Sequence, residues 1–225
     1  MKKIELIVLV ICWLIANTSV GQKNVLFVGA QAGVSVSNGI ETGYLYFENT
    51  EVLISPCYNV YFQYGLTNAL SINMGIGMER KGFEKTLVAV DRNRNPIGDL
   101  NTKQIFNYLI IPLNIEYQWG KRFKYFVGFG GYLGFLASQK LVLEEFGSFQ
   151  GSEESQMYYY HGTDYGLDVG VGCSIPLKSA FSVTIRLNGN LGLKNIVKKP
   201  TFFYEEASIY SFNGLLGLRY QISRK

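Results

Sequence analysis

A strict alternation between large apolar residues and small or polar residues constrains the fold of this chain more than any other feature. It is clearest over residues 181–194, where odd positions carry mostly Phe, Val, Ile and Leu, and even positions carry mostly Ser, Thr, Arg and Asn. Side chains of a β-strand point alternately to its two faces. The pattern therefore predicts a strand with one apolar face and one polar face.

The same alternation recurs along the chain and predicts eight strands. They cover residues 25–37, 53–64, 69–81, 104–119, 125–137, 163–175, 181–194 and 209–222. Their connections alternate between tight turns at 65–68, 120–124 and 176–180 and long polar links at 38–52, 82–103, 139–162 and 195–208. Short periplasmic turns and longer extracellular loops are typical of outer-membrane barrels. The predicted fold is an all-β, eight-stranded, antiparallel, up-and-down transmembrane β-barrel.

The chemistry of the two faces decides which of them points outward. The chain is 48% hydrophobic and 17% charged, and most of its charged strand residues have the polar parity. A soluble lipocalin-like barrel would need the polar face outside, whereas in lipid the charged face must point into the barrel. Aromatic residues at apolar-face strand ends then predict two interfacial girdles. These are Tyr64, Trp119, Tyr125, Phe181 and Tyr220 toward the periplasm, and Phe135, Tyr165, Tyr210 and Phe212 toward the outside.

Five charged residues have lumen parity, namely Glu79, Glu116, Asp168, Arg186 and Arg219. Because an unpaired buried charge is costly, we expect them to form a structural polar network; a proton or ion path is the functional alternative. Eight strands leave an interior that side chains can fill, and the lumen-parity residues Tyr61, Tyr108 and Tyr132 offset the many lumen glycines. We therefore expect no open pore.

Two prolines and two cysteines lie inside the predicted strands. Pro56 and Pro112 each remove a ladder hydrogen bond, and we predict a bulge at both. Cys57 and Cys173 have opposite parity, so we predict that they form no disulfide.

The first residues are typical of a secretory leader. Lys2 and Lys3 precede an apolar run over residues 6–16, and small residues follow at Ser19 and Gly21. We expect a signal peptide at 1–21 and one outer-membrane barrel domain at 22–225.

Four short motifs resemble the PorT-like outer-membrane β-barrel family of Bacteroidetes. They lie at residues 107–113 (Asn-Tyr-Leu-Ile-Ile-Pro-Leu), 132–134 (Tyr-Leu-Gly), 164–167 (Asp-Tyr-Gly-Leu) and 186–193 (Arg-Leu-Asn-Gly-Asn-Leu-Gly-Leu). The resemblance covers nearly the whole mature chain and implies an eight-stranded barrel in the cell outer membrane, with no defined catalytic residues. The chain departs from barrels of this class at its end, since Ser223-Arg224-Lys225 stands where an aromatic residue is usual.

Few residues suggest chemistry. His161, the chain's one histidine, could pair with Asp164 to orient a water at the outer rim, although a loop histidine beside an aromatic girdle is the simpler interpretation. The third long loop carries Glu144, Glu145, Glu153 and Glu154, which could bind a divalent cation or be merely solvated. Lys194, Lys198 and Lys199 could contact lipopolysaccharide phosphates or be solvated.

We therefore expect a non-enzymatic barrel that takes no cofactor and serves envelope, adhesion or secretion-complex roles through its outer loops. Its partners would be outer-membrane lipid, lipopolysaccharide, and envelope or secretion-complex proteins. Scattered Lys and Arg residues, despite a net charge of +4, give no basis for nucleic-acid binding. A barrel enzyme acting on lipid or peptide, and a narrow channel, remain the alternatives.

Overall fold

The computed structural model describes residues 25–42, 50–90, 95–145, 151–177, 180–198 and 206–222. The predicted signal peptide and the terminal Ser-Arg-Lys lie outside the described residues. Nine strands and one short 3₁₀ helix are present among them. The strands are β1 Leu26–Thr42, β2 Thr50–Gly65, β3 Leu70–Val90, β4 Pro96–Trp119, β5 Lys124–Leu143, β6 Ser152–Glu154, β7 Thr163–Pro176, β8 Phe181–Gly192 and β9 Glu206–Gln221, and the 3₁₀ helix is Met157–Tyr159.

Eight of the strands form a closed antiparallel ring. The order is β1-β2-β3-β4-β5-β7-β8-β9, and β9 pairs with β1 to close the barrel. Neighbouring strands in sequence are neighbours in space, as an up-and-down barrel requires. The predicted fold class is confirmed. None of the helices in the described part of the chain is long and apolar enough to cross a membrane.

Six of the eight ring strands extend further on the extracellular side than predicted, whereas β7 begins where predicted and β8 ends two residues earlier. β3 and β4 pair as far as Ala89 and Gly98, so most of the predicted 82–103 loop is a hairpin. β6 pairs with the end of β5 inside the predicted 139–162 loop. The prediction treated polar residues as loop, but a strand whose outer face is in water is itself polar, so polarity alone did not mark the end of these strands.

The two prolines behave differently. Pro56 lies in the stretch of β2 where one extra residue shifts the register with β3, so the predicted bulge is confirmed. The prediction for Pro112 is wrong, because β4 keeps one register with β3 on both sides of it and pairs with Tyr132 of β5. The ladder to β3 is only interrupted there. The proline ring lies close to Gly75 of β3.

Candidate functional site

The barrel lumen brings three of the five predicted network residues together around one carboxylate. Glu116 of β4 is fully buried and accepts a hydrogen bond from Arg186 Nη2 at 2.5 Å. Gln63 Nε2 donates to its other oxygen at 2.8 Å. Arg219 Nη1 donates to Gln63 Oε1 at 2.6 Å, so Gln63 joins the second arginine to the same carboxylate. This cluster lies in the periplasmic half of the barrel.

Aromatic rings cover the other faces of the two guanidinium groups. The Arg186 guanidinium lies 4.5 Å from the centroid of Phe126, and that of Arg219 lies 4.4 Å from the centroid of Phe27. Both rings have lumen parity, which was the available signal, but the sequence analysis singled out neither of them. Each cation is thus held between a polar partner and a π face.

Glu79 forms a second cluster nearer the outside. Its Oε1 accepts hydrogen bonds from Ser211, Asn213 and Ser35 at 2.6, 3.0 and 3.2 Å, and its Oε2 accepts one from Asn190 at 3.1 Å. Lys81 Nζ lies 3.6 Å from Oε2 and over the ring of Tyr132. Lys81 is fully buried and shares the lumen parity, yet the sequence analysis did not include it among the network residues.

Asp168 stands apart from the other four predicted residues. Its carboxylate accepts hydrogen bonds from Asn114 Nδ2 at 2.6 Å and Asn188 Nδ2 at 3.2 Å, and it makes no direct ion pair within the described residues. A cavity of only about 40 Å³ lies between Asp168 and Glu79. The five predicted residues therefore occupy three neighbouring clusters.

Tyrosine side chains fill the lumen against glycines of the neighbouring strands. Tyr61, Tyr108 and Tyr132 are all buried. A Cβ atom added at Gly29 would lie 2.5 Å from the Tyr61 ring, and one added at Gly166 would lie 2.8 Å from the Tyr132 ring. The glycines are therefore the space into which the rings pack, as the lumen parity of both residue types predicts.

An apolar cluster, here called the cap, lies across the extracellular end of the lumen. Two segments that the sequence analysis treated as polar loops fold inward, and Tyr160 forms a β-bridge with Val197. Further backbone bonds join the segments, including His161 N to Ile196 O at 2.7 Å. The buried residues of the cap are Phe83, Phe106, Tyr108, Ile110, Tyr132, Leu136, Tyr160, Ile196, Val197, Ala207 and Ile209.

Two buried side-chain contacts tie the cap to the tall strands. The Tyr160 ring packs edge-on against Phe106 with centroids 4.9 Å apart, and its hydroxyl donates to Gln104 Oε1 at 3.3 Å. Asn195 Oδ1 accepts hydrogen bonds from the backbone N–H groups of Val197 and Ala207. The adjacent apolar residues Ile196 and Val197, in a link that was treated as a polar loop, were the signal that could have predicted the cap.

The hypothetical His161–Asp164 pair is not formed. Asp164 is buried and accepts a hydrogen bond from the Tyr132 hydroxyl at 2.9 Å. The His161 side chain has no hydrogen-bond or ion-pair partner within the described ranges. No catalytic pair is therefore assembled at this point of the rim.

The acidic residues of the third loop are spread over separate contacts. Glu144 pairs with Lys103 at 3.0 Å, and Glu153 pairs with Lys140. In the described part of the chain, no group of three or more His, Cys, Asp or Glu residues could hold a metal ion. Lys194 Nζ donates to Thr163 Oγ1 at 2.6 Å, Lys198 is exposed, and Lys199 lies outside the described residues.

A polar row marks where the outer surface leaves the lipid. Arg80 Nε donates to Asn107 Oδ1 at 2.9 Å, and Asn107 Nδ2 donates to Ser138 Oγ at 2.8 Å across three strands. Beyond this row the outer face carries ion pairs. The hydrogen bond from Lys103 lowers the pKa of Glu144, and the same bond raises the pKa of Lys103.

Below the polar row the outer face is apolar, with aromatic residues at both ends. The predicted girdle residues all point outward; Trp119 and Tyr125 lie 6.2 Å apart, and Phe181 and Tyr220 lie 5.0 Å apart. Cys57 is buried in the lumen, whereas Cys173 points to the outer face, and both are free thiols. Apolar residues outside and charged residues inside are the arrangement that a hydrocarbon environment requires.

Comparison with solved structures returns outer-membrane barrels at low identity. Ail, the attachment invasion locus protein of Yersinia pestis, is 14% identical and has a TM-score of 0.42, over 89% of this chain and 100% of that one. OprG from Pseudomonas aeruginosa is 11% identical with a TM-score of 0.49, over 91% and 99%. The outer-membrane protease OmpT from Escherichia coli is 11% identical with a TM-score of 0.41, over 92% and 99%.

No curated protein matches the sequence. The sequence does match a family of outer-membrane barrel domains over residues 19–198, which is most of its 225 residues. This match agrees with the eight-stranded ring, the inward charges and the apolar outer face. The chain belongs to the outer membrane protein beta-barrel domain family, and its place is the outer membrane.

Proposed function

We propose that this protein is a non-enzymatic outer-membrane barrel that acts through its extracellular surface in envelope, adhesion or secretion-complex roles. The observation that carries the proposal is the filled and capped lumen. Its acids are engaged by hydrogen-bond donors, and the cavity between Asp168 and Glu79 is only about 40 Å³. This arrangement favours a structural use of the interior and leaves the outer surface for recognition. We also place the chain among the PorT-like barrels of Bacteroidetes, on the motifs given above.

The extracellular surface offers a built platform for such a role. β3 has 21 residues and β4 has 24, whereas about 9–11 residues suffice to cross the membrane. The excess of about ten residues corresponds to roughly 30 Å of extended chain. Because β3, β4 and β5 pair with one another in this region, the projection is a sheet and not a loose loop. Recognition surfaces on rigid scaffolds are commonly placed in this way.

The proposed partners are envelope or secretion-complex proteins at this sheet, and membrane lipid and lipopolysaccharide at the wall. Lys194 and Lys198 remain candidates for contacts with lipopolysaccharide phosphates at the rim. No cofactor and no nucleic acid form part of the proposal.

Removal of the projecting hairpin tests the proposal directly. Lys85 and Thr102 are cross-strand partners, so replacing residues 86–101 by Asn-Gly closes the hairpin with a two-residue turn. Cross-linking in native membranes followed by purification should recover a set of envelope proteins with the full chain, and lose them with the shortened chain. Lys121→Gln in the periplasmic turn is the control and should retain them. An unchanged set of partners would contradict the proposal.

Two further measurements test the alternatives. We expect planar-bilayer recordings of the purified barrel to show no steady conductance, because the cap and the lumen side chains block the path. We expect no lipid or peptide hydrolysis that depends on His161. Hydrolysis that His161→Ala abolishes would replace the proposal with a barrel enzyme, and a steady conductance would replace it with a channel.

A further inference from the structure

A groove of about 770 Å³ runs along the outer wall over β1. Its floor is formed by two small residues, Ala30 and Ala32. The strand register explains the depression. Ala30 lies between Val60 of β2 and Leu218 of β9, and Ala32 lies between Tyr58 and Leu216 on the same strands. Large side chains thus flank both alanines, and the groove between them is almost wholly apolar.

The groove continues toward a cation at the outer edge of the membrane. Met78 of β3 and Leu109 of β4 line it. Arg80 and Asn107 are the next residues on the same face of these strands toward the outside. Arg80 is exposed, and its Nε donates to Asn107 Oδ1 at 2.9 Å. Since Asn107 is itself bonded to Ser138, the guanidinium is held in position.

Arg80 differs from the other outward-facing cations nearby. Lys103 contacts Glu84 at 3.4 Å and Glu144 at 3.0 Å, and Lys140 contacts Glu153. Arg80 has no carboxylate partner within the described ranges, and its two terminal nitrogens remain available. A planar guanidinium with two parallel N–H donors fits a phosphate group in bidentate fashion.

We propose that this groove is a binding site for a phosphorylated glycolipid of the outer leaflet, of the lipid A class. An acyl chain lies against Ala30 and Ala32, and a phosphate group accepts hydrogen bonds from Arg80. An apolar groove at membrane depth together with an uncompensated cation at the outer-leaflet headgroup depth is complementary to an outer-leaflet lipid that carries a phosphate on its headgroup. The inference depends on the outer-membrane location and not on the role proposed for the projecting hairpin.

The test measures lipid retention by the folded, purified barrel with native mass spectrometry. The probes are lipid A carrying its phosphates, the same lipid after enzymatic dephosphorylation, and phosphatidylglycerol. The unchanged protein should retain phosphorylated lipid A about tenfold better than the dephosphorylated form, as expected for one charge-assisted hydrogen-bonded contact. Inorganic phosphate alone should not compete, since it has no acyl chain.

Variants separate the two halves of the site. Arg80→Gln should reduce retention of phosphorylated lipid A to the level of the dephosphorylated form, and Arg80→Lys should restore only part of it. Ala32→Leu should reduce retention of both forms by filling the groove. Lys121→Gln removes an exposed cation of the periplasmic turn, at the opposite end of the barrel from Arg80, and is the control, which should behave as the unchanged protein. Gel mobility before and after heating verifies that every variant is folded.

Three outcomes would overturn the proposal. The first is equal retention of phosphorylated and dephosphorylated lipid A by the unchanged protein. The second is equal retention by Arg80→Gln and by the Lys121→Gln control. The third is retention of phosphatidylglycerol as strong as that of lipid A, which would indicate general lipid contact. None of them depends on the partner recovery that tests the hairpin.

Discussion

The Glu116 cluster gives the sharpest test of how the barrel is held together. Glu116→Gln keeps the shape of the side chain and one carbonyl acceptor but removes the one anion that contacts Arg186 directly among the described residues. Arg219, which reaches Glu116 through Gln63, loses the same charge. Breaking a buried ion pair by neutralising one partner costs about 3–5 kcal/mol. The folding equilibrium should therefore fall by roughly two to four orders of magnitude.

A second variant distinguishes charge pairing from mere packing. Glu116→Gln combined with Arg186→Gln leaves two neutral amides that can bond to each other. The double variant should be less destabilised than the sum of the single variants, with a coupling free energy of at least about 1 kcal/mol. The control is Glu51→Gln, which neutralises an exposed acid of β2 and should stay within about 0.5 kcal/mol of the unchanged protein.

The assay is reversible urea unfolding of the barrel in lipid vesicles, followed by the fluorescence of Trp119 at the periplasmic girdle. The free energy of unfolding and the slope against urea are compared across five proteins, which are the unchanged chain, the two single variants, the double variant and the Glu51→Gln control. The reasoning is refuted if the free energy of unfolding of Glu116→Gln lies within about 0.5 kcal/mol of the value for the unchanged protein, which is about the accuracy of such fits. Additive single and double variants would also refute it, since the network would then owe its stability to packing alone.

Three other substitutions have defined outcomes. Gly33→Ala should destabilise the barrel by about 1–3 kcal/mol, because its Cβ would lie 1.8 Å from a backbone oxygen of β9, whereas Gly162→Ala, with open space around its Cβ, should be neutral in the same unfolding assay. Glu144→Gln should speed amide hydrogen exchange at the outer ends of β4 and β5 at neutral pH. Because the pKa of Glu144 in the folded protein lies below the ordinary glutamate value, its stabilising contact with Lys103 is complete above the ordinary value. The contact is lost as the pH falls through the folded-state pKa, so acidification over that range should reduce the difference in exchange between Glu144→Gln and the unchanged protein. Tyr160→Ala should raise proteolysis of the cap segments without dissociating the barrel, as read by mass spectrometry of the fragments.

The barrel itself could be predicted from the sequence because a two-residue alternation fixes both the strand and the face of each residue. Parity placed all five charged residues in the lumen, and Glu116, Arg186 and Arg219 meet there. The alternation gives the face on which each side chain lies, but it does not give the height of that residue along the barrel relative to residues of other strands. Which inward residues share a level depends on register and barrel stagger, so the direct contact between Gln63 and Glu116, and the isolation of Asp168, followed only from the structure.

The outer end of the barrel was harder to predict for a different reason. Inside the membrane, lipid forces the outward face to be apolar, and the alternation is therefore strong. Above the membrane both faces can be polar, as at Lys103 and Thr102, and the signal disappears although the strand continues. The burial of Ile196 and Val197 was difficult to interpret for another reason. Two adjacent apolar residues in a predicted loop indicate burial, but they do not indicate which surface they pack against.

The unequal heights of the strands determine which outer surface remains available to a partner. β3 and β4 are tall, whereas β7 and β8 have 14 and 12 residues. Segments next to these short strands carry Tyr160, Ile196 and Val197 across the mouth. The inner face of the tall sheet is used by that contact, since Phe83 and Phe106 are buried members of the cap. Its outer face remains in water.

We therefore expect the projecting hairpin to bind a partner through its outer face and not through its inner face. Lys85 and Thr102 point inward and are buried, whereas Thr86 and Asn101 point outward, are exposed and bond to each other. A charge placed at Asn101 should therefore disturb a partner without disturbing the fold. The same charge placed at Thr102 should disturb the sheet itself, because Thr102 is buried and its hydroxyl donates to the backbone oxygen of Lys85. Partner binding and barrel stability are thus separable within one pair of adjacent residues.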